Sequence, residues 1–202
     1  MPARLRLTLF LAGVLALTAV AGVLLFAAGN RTVTGDAFAG ALRPPDIPPE
    51  EFGLRDENGR MVRLRDMRGR PAVVTFLYTT CRDTCPLTAQ QIRQALDDLG
   101  HDVPVVAVSV DPANDTRQRA KAFLLKQGLT GRMRWVLGTS AQLQRIWRAY
   151  GVAPQSSIAE HSASTVLLDA AGRQRIGWPT SRLTPEGLAH DLAALERESP
   201  RS

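Results

Sequence analysis

The run Ala72-Val73-Val74-Thr75-Phe76-Leu77-Tyr78-Thr79-Thr80-Cys81-Arg82-Asp83-Thr84-Cys85-Pro86 decides how this chain folds. Its first seven residues are apolar and rich in β-branched side chains, the pattern of a buried strand. Beyond it, Ile92, Ala95, Leu96 and Leu99 recur at helical spacing, and Gly100 closes the segment. Pro86 suits the first helical position, where its missing N–H costs no bond. Both cysteines of the molecule lie between the two patterns. Two thiols therefore sit where a buried strand hands over to a helix N-terminus. The positive end of the helix and the cation Arg82 favour the thiolate, the form that attacks disulfides and ligates metals.

Reading outward toward the C-terminus, residues 103–110 form a second buried strand that ends at Asp111-Pro112. A second helix runs from an Asp115 cap through Ala120, Phe123 and Leu124 to Gly128. Residues 134–137 read as a short strand and 140–150 as a third helix, with Leu143, Ile146 and Trp147 inward. The loop 151–160 has no periodicity. Residues 163–169 and 174–178, joined by Ala170-Ala171-Gly172-Arg173, form a hairpin. Pro185 opens a last amphipathic helix with Leu188, Leu192 and Leu195 on one face. Strand, helix, strand, helix, hairpin and helix is the order of the thioredoxin fold, an α/β class whose first half is fixed by right-handed parallel βαβ crossovers. Toward the N-terminus, Asp56-Glu57-Asn58-Gly59 is a turn signal between residues 52–55 and 61–64, which predicts a β-hairpin extension of that fold. The domain is expected over residues 52–198.

The first 51 residues are of another kind. After Arg4 and Arg6, residues 7–29 carry no charge, a run of about two dozen and long enough for the ~20 that span a bilayer. A cleavable signal peptide is the rival, but its apolar region is about 7–15 residues long. No cysteine stands directly after the run, which excludes a lipoprotein-type anchor. The arginines place residues 1–6 in the cytoplasm and the rest of the chain outside. Residues 30–51, with Pro44-Pro45 and Pro48-Pro49, read as an extended tether. The expectation is one transmembrane helix in the inner (cytoplasmic) membrane, single-pass, with the following domain in the periplasm or outside.

The net charge of +6 comes almost wholly from arginine, Lys121 and Lys126 being the only lysines. Basic residues are interspersed with acids, as in Arg63-Leu64-Arg65-Asp66-Met67-Arg68, and aromatics are few. No phosphate-reading stripe or base-stacking surface emerges, so nucleic acid is excluded as a partner. A surface close to anionic lipid headgroups accounts for the charge.

In an oxidising compartment a cysteine pair is first read as a structural disulfide. A Cys81–Cys85 bridge closes a very short loop, however, and stabilisation by a disulfide grows with loop length. Redox and metal roles are the other readings. Ligand sites of open α/β sheets lie beyond the carboxyl ends of the parallel strands. The cysteines follow one such end and Asp111 follows the other. The strand from residue 163, antiparallel to these, starts at the same edge, and His161 stands just before it. His161 is either a solvated loop imidazole or a neighbour of the thiols. His101 and His190 lack that placement and are expected to face solvent. Asp111 reads equally as a turn residue. Two thiolates favour Cu(I), and an added imidazole keeps Cu(II) accessible. Zinc would need a fourth ligand, for which only Asp83 or Asp111 is at hand.

The motifs Tyr78-Thr79-Thr80-Cys81-Arg82-Asp83-Thr84-Cys85-Pro86, Ser109-Val110-Asp111-Pro112 with Asp115-Thr116, and His161-Ser162 resemble the Sco/SenC family over about residues 46 to 196. Cys-x3-Cys alone is a weak signal; the three motifs in this order and spacing are a strong one. The resemblance implies a thioredoxin-like protein that binds one copper ion per domain, Cu(I) or Cu(II), through Cys81, Cys85 and His161. It further implies help in assembling the binuclear copper site of cytochrome c oxidase subunit II or a related acceptor. Asp83 and Asp111 match supporting acids of the family. Arg82 departs from it, standing where the family has proline, and so does the loop before His161. Two functions are compatible with these residues. One is a metallochaperone, which is not an enzyme. The other is a thiol–disulfide reductase, with Cys81 and Cys85 as a redox-active pair, that keeps an acceptor's cysteines reduced. A peroxidase of thioredoxin fold is disfavoured, since Thr-x-x-Cys spacing is absent around Cys81.

Overall fold

The computed structural model describes residues 38–45, 47, 50–153 and 164–199. The predicted membrane span, half of the tether and His161 lie outside the described residues. Among those described, no helix is long and apolar enough to cross a membrane.

The centre of the sheet is β4 (Ala72–Leu77), every residue of which is buried, as a strand covered on both faces must be. β5 (Val105–Ser109) runs parallel to it, with Val73 opposite Val105 and Leu77 opposite Ser109. β7 (Ser164–Leu168) pairs antiparallel on its other side, Ala72 facing Leu168 and Thr75 facing Thr165. β7 then turns back into β8 (Gln174–Pro179). β6 (Arg134–Leu137) extends the sheet parallel to β5. The hairpin of β2 (Gly53–Asp56) and β3 (Met61–Arg63) joins it through antiparallel pairing of β2 with β6. With β1 (Ala41–Leu42) on β8, the strand order is β1-β8-β7-β4-β5-β6-β2-β3. The thioredoxin-like α/β fold and its hairpin extension are both present.

Period-two alternation sends the strands' side chains to two cores. Val73, Leu77, Val105, Ala107 and Leu167 face one cluster, which holds α1 (Thr84–Leu99), α2 (Arg117–Lys126) and α4 (Pro185–Glu198) through Ile92, Leu124 and Leu192. Val74, Phe76, Val106, Val108 and Val166 face the other, where α3 (Ser140–Tyr150) inserts Leu143, Ile146 and Trp147. A capping box of Thr139 and Gln142 starts α3. Gly151 ends it at φ 70°, a left-handed conformation that favours glycine.

The compact unit begins at Phe38, so residues 38–42, expected within the tether, belong to the domain. The cause is Asp191, fully buried on α4. Its carboxylate accepts the backbone N–H of Ala39 at 2.7 Å and of Gly40 at 2.9 Å, together with Trp178 Nε1–H at 3.1 Å. A Cβ on Gly40 would fall 2.5 Å from Ile176 Cγ2, so only glycine lets the backbone come this close. The sequence pattern missed this segment because its order comes from a partner more than a hundred residues away. Asp191→Ala would leave one buried and two part-buried donors without an acceptor, and a loss of about 1–3 kcal/mol is expected. Urea denaturation of wild type and variant measures it; unchanged midpoints would mean that the carboxylate does not hold this segment.

Candidate metal centre

β4 and β5 end side by side, and the chain leaving each turns toward the other. Val110 N–H donates to Leu77 O at 3.1 Å, the last rung of the parallel pair. Beyond it the two exits are joined by Asp115, which is 8% exposed. Its carboxylate accepts Thr79 N–H at 2.7 Å, Thr79 Oγ1–H at 2.6 Å and Ser109 Oγ–H at 2.5 Å. Burial raises the Asp115 pKa, against the effect of these three donors, and the nearby charge of Asp111 acts in the same direction as burial. Asp115 was expected to cap the second helix. Thr116 does so instead, its side chain accepting Arg119 N–H, and the carboxylate is free to hold the cysteine loop.

From Thr79 the loop makes a tight turn, Cys81 N–H donating to Tyr78 O at 3.3 Å, and enters α1 at Thr84. The helix thus starts two residues before the expected Pro86. Pro86 is tolerated at the third position because the first four N–H groups of a helix have no partner within it. Cys85 therefore lies in the first turn. Its N–H donates to Cys81 Sγ at 3.2 Å, and Thr84 Oγ1 lies 3.3 Å from the same sulfur.

The two sulfurs are unequal. Cys85 is 1% exposed and packs into the core, whereas Cys81 is partly exposed at its margin. The Cys81 thiol is lowered to about 4, chiefly by a hydrogen bond from the Cys85 side chain. Burial opposes that shift, while the Thr84 hydroxyl, the Cys85 N–H and the Tyr78 hydroxyl add to it. Cys85 is pushed up, because its proton is held by the Cys81 sulfur and its surroundings are apolar. Tyr78 is raised by burial first and then by its bond to Cys81. The sequence reading did not single out Tyr78, Thr84 or Ser109. A signal for the first was available, since the residue closing a buried strand must lean on whatever follows.

The acids take separate places. Asp83 is exposed at the N-cap position of α1 without a side-chain cap bond. Asp111 opens the turn after β5, where Asn114 Nδ2 donates to both of its oxygens, at 3.1 and 2.8 Å. Among the described residues, no three His, Cys, Asp or Glu side chains are gathered as a metal-holding set, so neither acid completes a zinc-type group with the sulfurs. His101 is exposed and paired with Glu196 at 2.7 Å, and His190 Nδ1 lies 3.2 Å from Asp191. β7 enters at Ser164, beside the edge where β4 ends. His161 itself lies outside the described residues.

A thiol of ordinary pKa reacts about a hundredfold faster with iodoacetamide at pH 8 than at pH 6, since its thiolate fraction grows tenfold per unit. Cys81, with its pKa far below that window, is thiolate throughout, so its alkylation rate is expected to stay flat between pH 6 and 8. Mass spectrometry of the reduced protein should find Cys85 unmodified in the same samples. A Cys81 rate that climbs tenfold per pH unit would place its thiol in the ordinary range.

The sequence model of the SCO1/SenC family matches residues 42–196. Protein SenC of Rhodobacter capsulatus is 33% identical over 128 residues, 58% of this chain and 57% of that relative, so the match spans little more than half of its length. The solved structure of Bradyrhizobium japonicum ScoI with copper bound is 30% identical with a TM-score of 0.61, covering 72% of this chain and 97% of that one. Yeast Sco1, 17% identical, has a TM-score of 0.67 over 79% of this chain and 100% of its own, a likeness of fold alone. With its matched region reaching from β1 into α4, the chain belongs to the SCO1/SenC family.

Proposed function

We propose that this protein is a membrane-anchored copper metallochaperone that assists assembly of the binuclear copper site of cytochrome c oxidase subunit II. The observation that carries the reading is the pair of inequivalent sulfurs at the sheet edge, one a partly exposed thiolate and the other buried. Thiolate donors favour Cu(I), as they also favour zinc and iron–sulfur clusters, and a two-sulfur site suits Cu(I) best. A relative 30% identical in sequence has a solved structure with copper bound, over nearly the whole of its own length. Cys81, Cys85 and His161 are the proposed ligands of a single ion, Cu(I) or Cu(II), carried as cargo. Asp83 and Asp111 are supporting acids of the same edge. Delivery proceeds by ligand exchange: an acceptor sulfur approaches the exposed side of the ion, at Cys81, and Cys85 is the last donor to let go.

The inequality of the thiols also favours a second reading, in which the pair reduces disulfides of the acceptor. Cys81, exposed and ionised, attacks a disulfide sulfur, and Cys85 resolves the mixed disulfide. A dithiol that holds copper and a disulfide that cannot are two states of one protein.

Copper titration of the reduced protein separates the two. Cys81→Ser and Cys85→Ser should abolish tight binding and disulfide formation together. His161→Ala should weaken Cu(II) binding by roughly a hundredfold or more, a ligand weighing at least as much as the outer-shell groups whose loss costs 10–100-fold. Cu(I) is expected to suffer less, because two sulfurs satisfy it in linear geometry. Reduction of a test disulfide should persist in His161→Ala. Unchanged affinity for both valences would take His161 out of the site and leave the reductase as the better reading.

The anchor is residues 7–29, with the domain on the periplasmic or outer side of the inner membrane. Alkaline carbonate should leave the full-length chain in the membrane pellet. A soluble form beginning near Gly29 or Gly40 would identify a signal peptide instead.

A further inference from the structure

A groove of about 490 Å³ runs between the loop 79–82 and α2, with Cys81 in its wall. Every charged residue that lines it is a cation: Arg82, Arg119 and Lys126. All three are exposed, and among the described residues none of them pairs with an acid. Some exposed arginines elsewhere in the domain do find counter-charges, as Arg68 does with Glu51 and Arg173 with Asp169. Arg119 is steadied by donation from its Nη1 to Asn114 O at 2.9 Å, a bond that leaves its positive charge uncompensated. The floor is apolar, formed by Pro86, Ala122 and Phe123. The acids of this edge, Asp83 and Asp111, are outside the groove wall. Three unopposed cations around an apolar floor, opening on the one reachable sulfur, are complementary to a small molecule with carboxylates at one end and sulfur at the other. The volume falls within the roughly 300–1,000 Å³ of small-ligand sites.

We propose that this groove binds a low-molecular-weight thiol bearing carboxylates, and that this thiol is the reductant of the Cys81–Cys85 disulfide. The inference rests on the reading that the two cysteines alternate between dithiol and disulfide. In the first exchange the thiolate of the bound molecule attacks Cys81 Sγ, since Cys85 is 1% exposed and out of reach. A bond forms between the incoming sulfur and Cys81, the Cys81–Cys85 bond breaks, and Cys85 leaves with the electron pair and takes up a proton. A second molecule of the thiol then attacks the small-molecule sulfur of the mixed disulfide and expels Cys81. Two thiols are oxidised to one small disulfide, two electrons reach the protein, and the protein is again a dithiol able to take copper. Apart from Cys81, none of the groove's residues is among the proposed copper ligands. The groove selects the reductant.

The test uses the full chain in detergent, oxidised to the disulfide, and three thiols of similar size: anionic 3-mercaptopropionate, neutral 2-mercaptoethanol and cationic cysteamine. Each second-order rate is divided by the thiolate fraction at the working pH. The anionic thiol is expected to be about tenfold faster than the neutral one at low salt and the cationic one slower, with the spread collapsing in 0.5 M salt. Arg119→Gln with Lys126→Gln should bring the anionic-to-neutral ratio close to one. Lys121→Gln, which removes the same type of charge from α2 outside the groove, should leave the ratio as in wild type. Equal ratios in wild type and the double variant would overturn the proposal. So would an advantage restricted to an acidic cysteine peptide and absent for 3-mercaptopropionate, which would make the groove a protein-docking surface. If oxidation yields no Cys81–Cys85 disulfide at all, the redox reading beneath the proposal fails; a disulfide reduced without charge preference sinks only the groove.

Discussion

One buried carboxylate holds the site in register. Asp115 sits where two parallel strands run out, and there the sheet can no longer fix the spacing of the chains that leave it. Its oxygens take hydrogen bonds from Thr79 on one exit and Ser109 on the other. Burying the group carries a desolvation penalty, visible in its raised pKa, and three short donors offset it. The cysteine loop begins two residues after Thr79, so the position of Cys81 is inherited from this clamp. α3 reinforces the same corner through Trp147, whose Nε1–H donates to Ser109 O at 3.0 Å. The site is thus tied into both cores of the domain.

From that frame follows the division of labour between the sulfurs. The start of α1 directs the Cys85 N–H at Cys81 and buries the Cys85 side chain below it. A single structural device, a helix whose first turn contains the second cysteine, makes one thiol acidic and accessible and the other basic and hidden. Metal delivery and disulfide exchange would both use that asymmetry, which is why the chaperone and reductase readings share every residue except His161. Arg82 stands next to the partly exposed sulfur. Together with Arg119 and Lys126 it gives the approach to Cys81 a sign of charge.

Much of this was legible in the sequence, for identifiable reasons. Hydrophobic runs bounded by turn residues fixed β4, β5 and the β7–β8 hairpin, because strands buried on both faces have few other sequence solutions. Topology alone brought the two strand ends together with the start of β7. Asp115 could not be assigned in the same way. An aspartate before Thr116 reads as a cap, and only the fold reveals that Thr116 caps while Asp115 turns inward to a threonine 36 positions earlier. The ordering of residues 38–42 was hidden for the same cause: a proline-flanked segment has no pattern of its own and is held by Asp191, far along the chain. Local pattern foretells elements; long-range polar bonds to single carboxylates escape it.

The Asp191 clamp has a mechanical consequence. Any tension transmitted along the chain from before residue 38 meets Phe38, packed against the core, and then Ala39 and Gly40, whose N–H groups pass the load to the α4 carboxylate that also holds the indole of Trp178. α4 and β8 belong to the cluster that also contains Leu77 and Cys85, and Cys81 packs against it. β1, only two residues long, is the fuse in this circuit. A pull strong enough to strip it from β8 would lengthen the N-terminal segment by a few residues before it loaded that cluster.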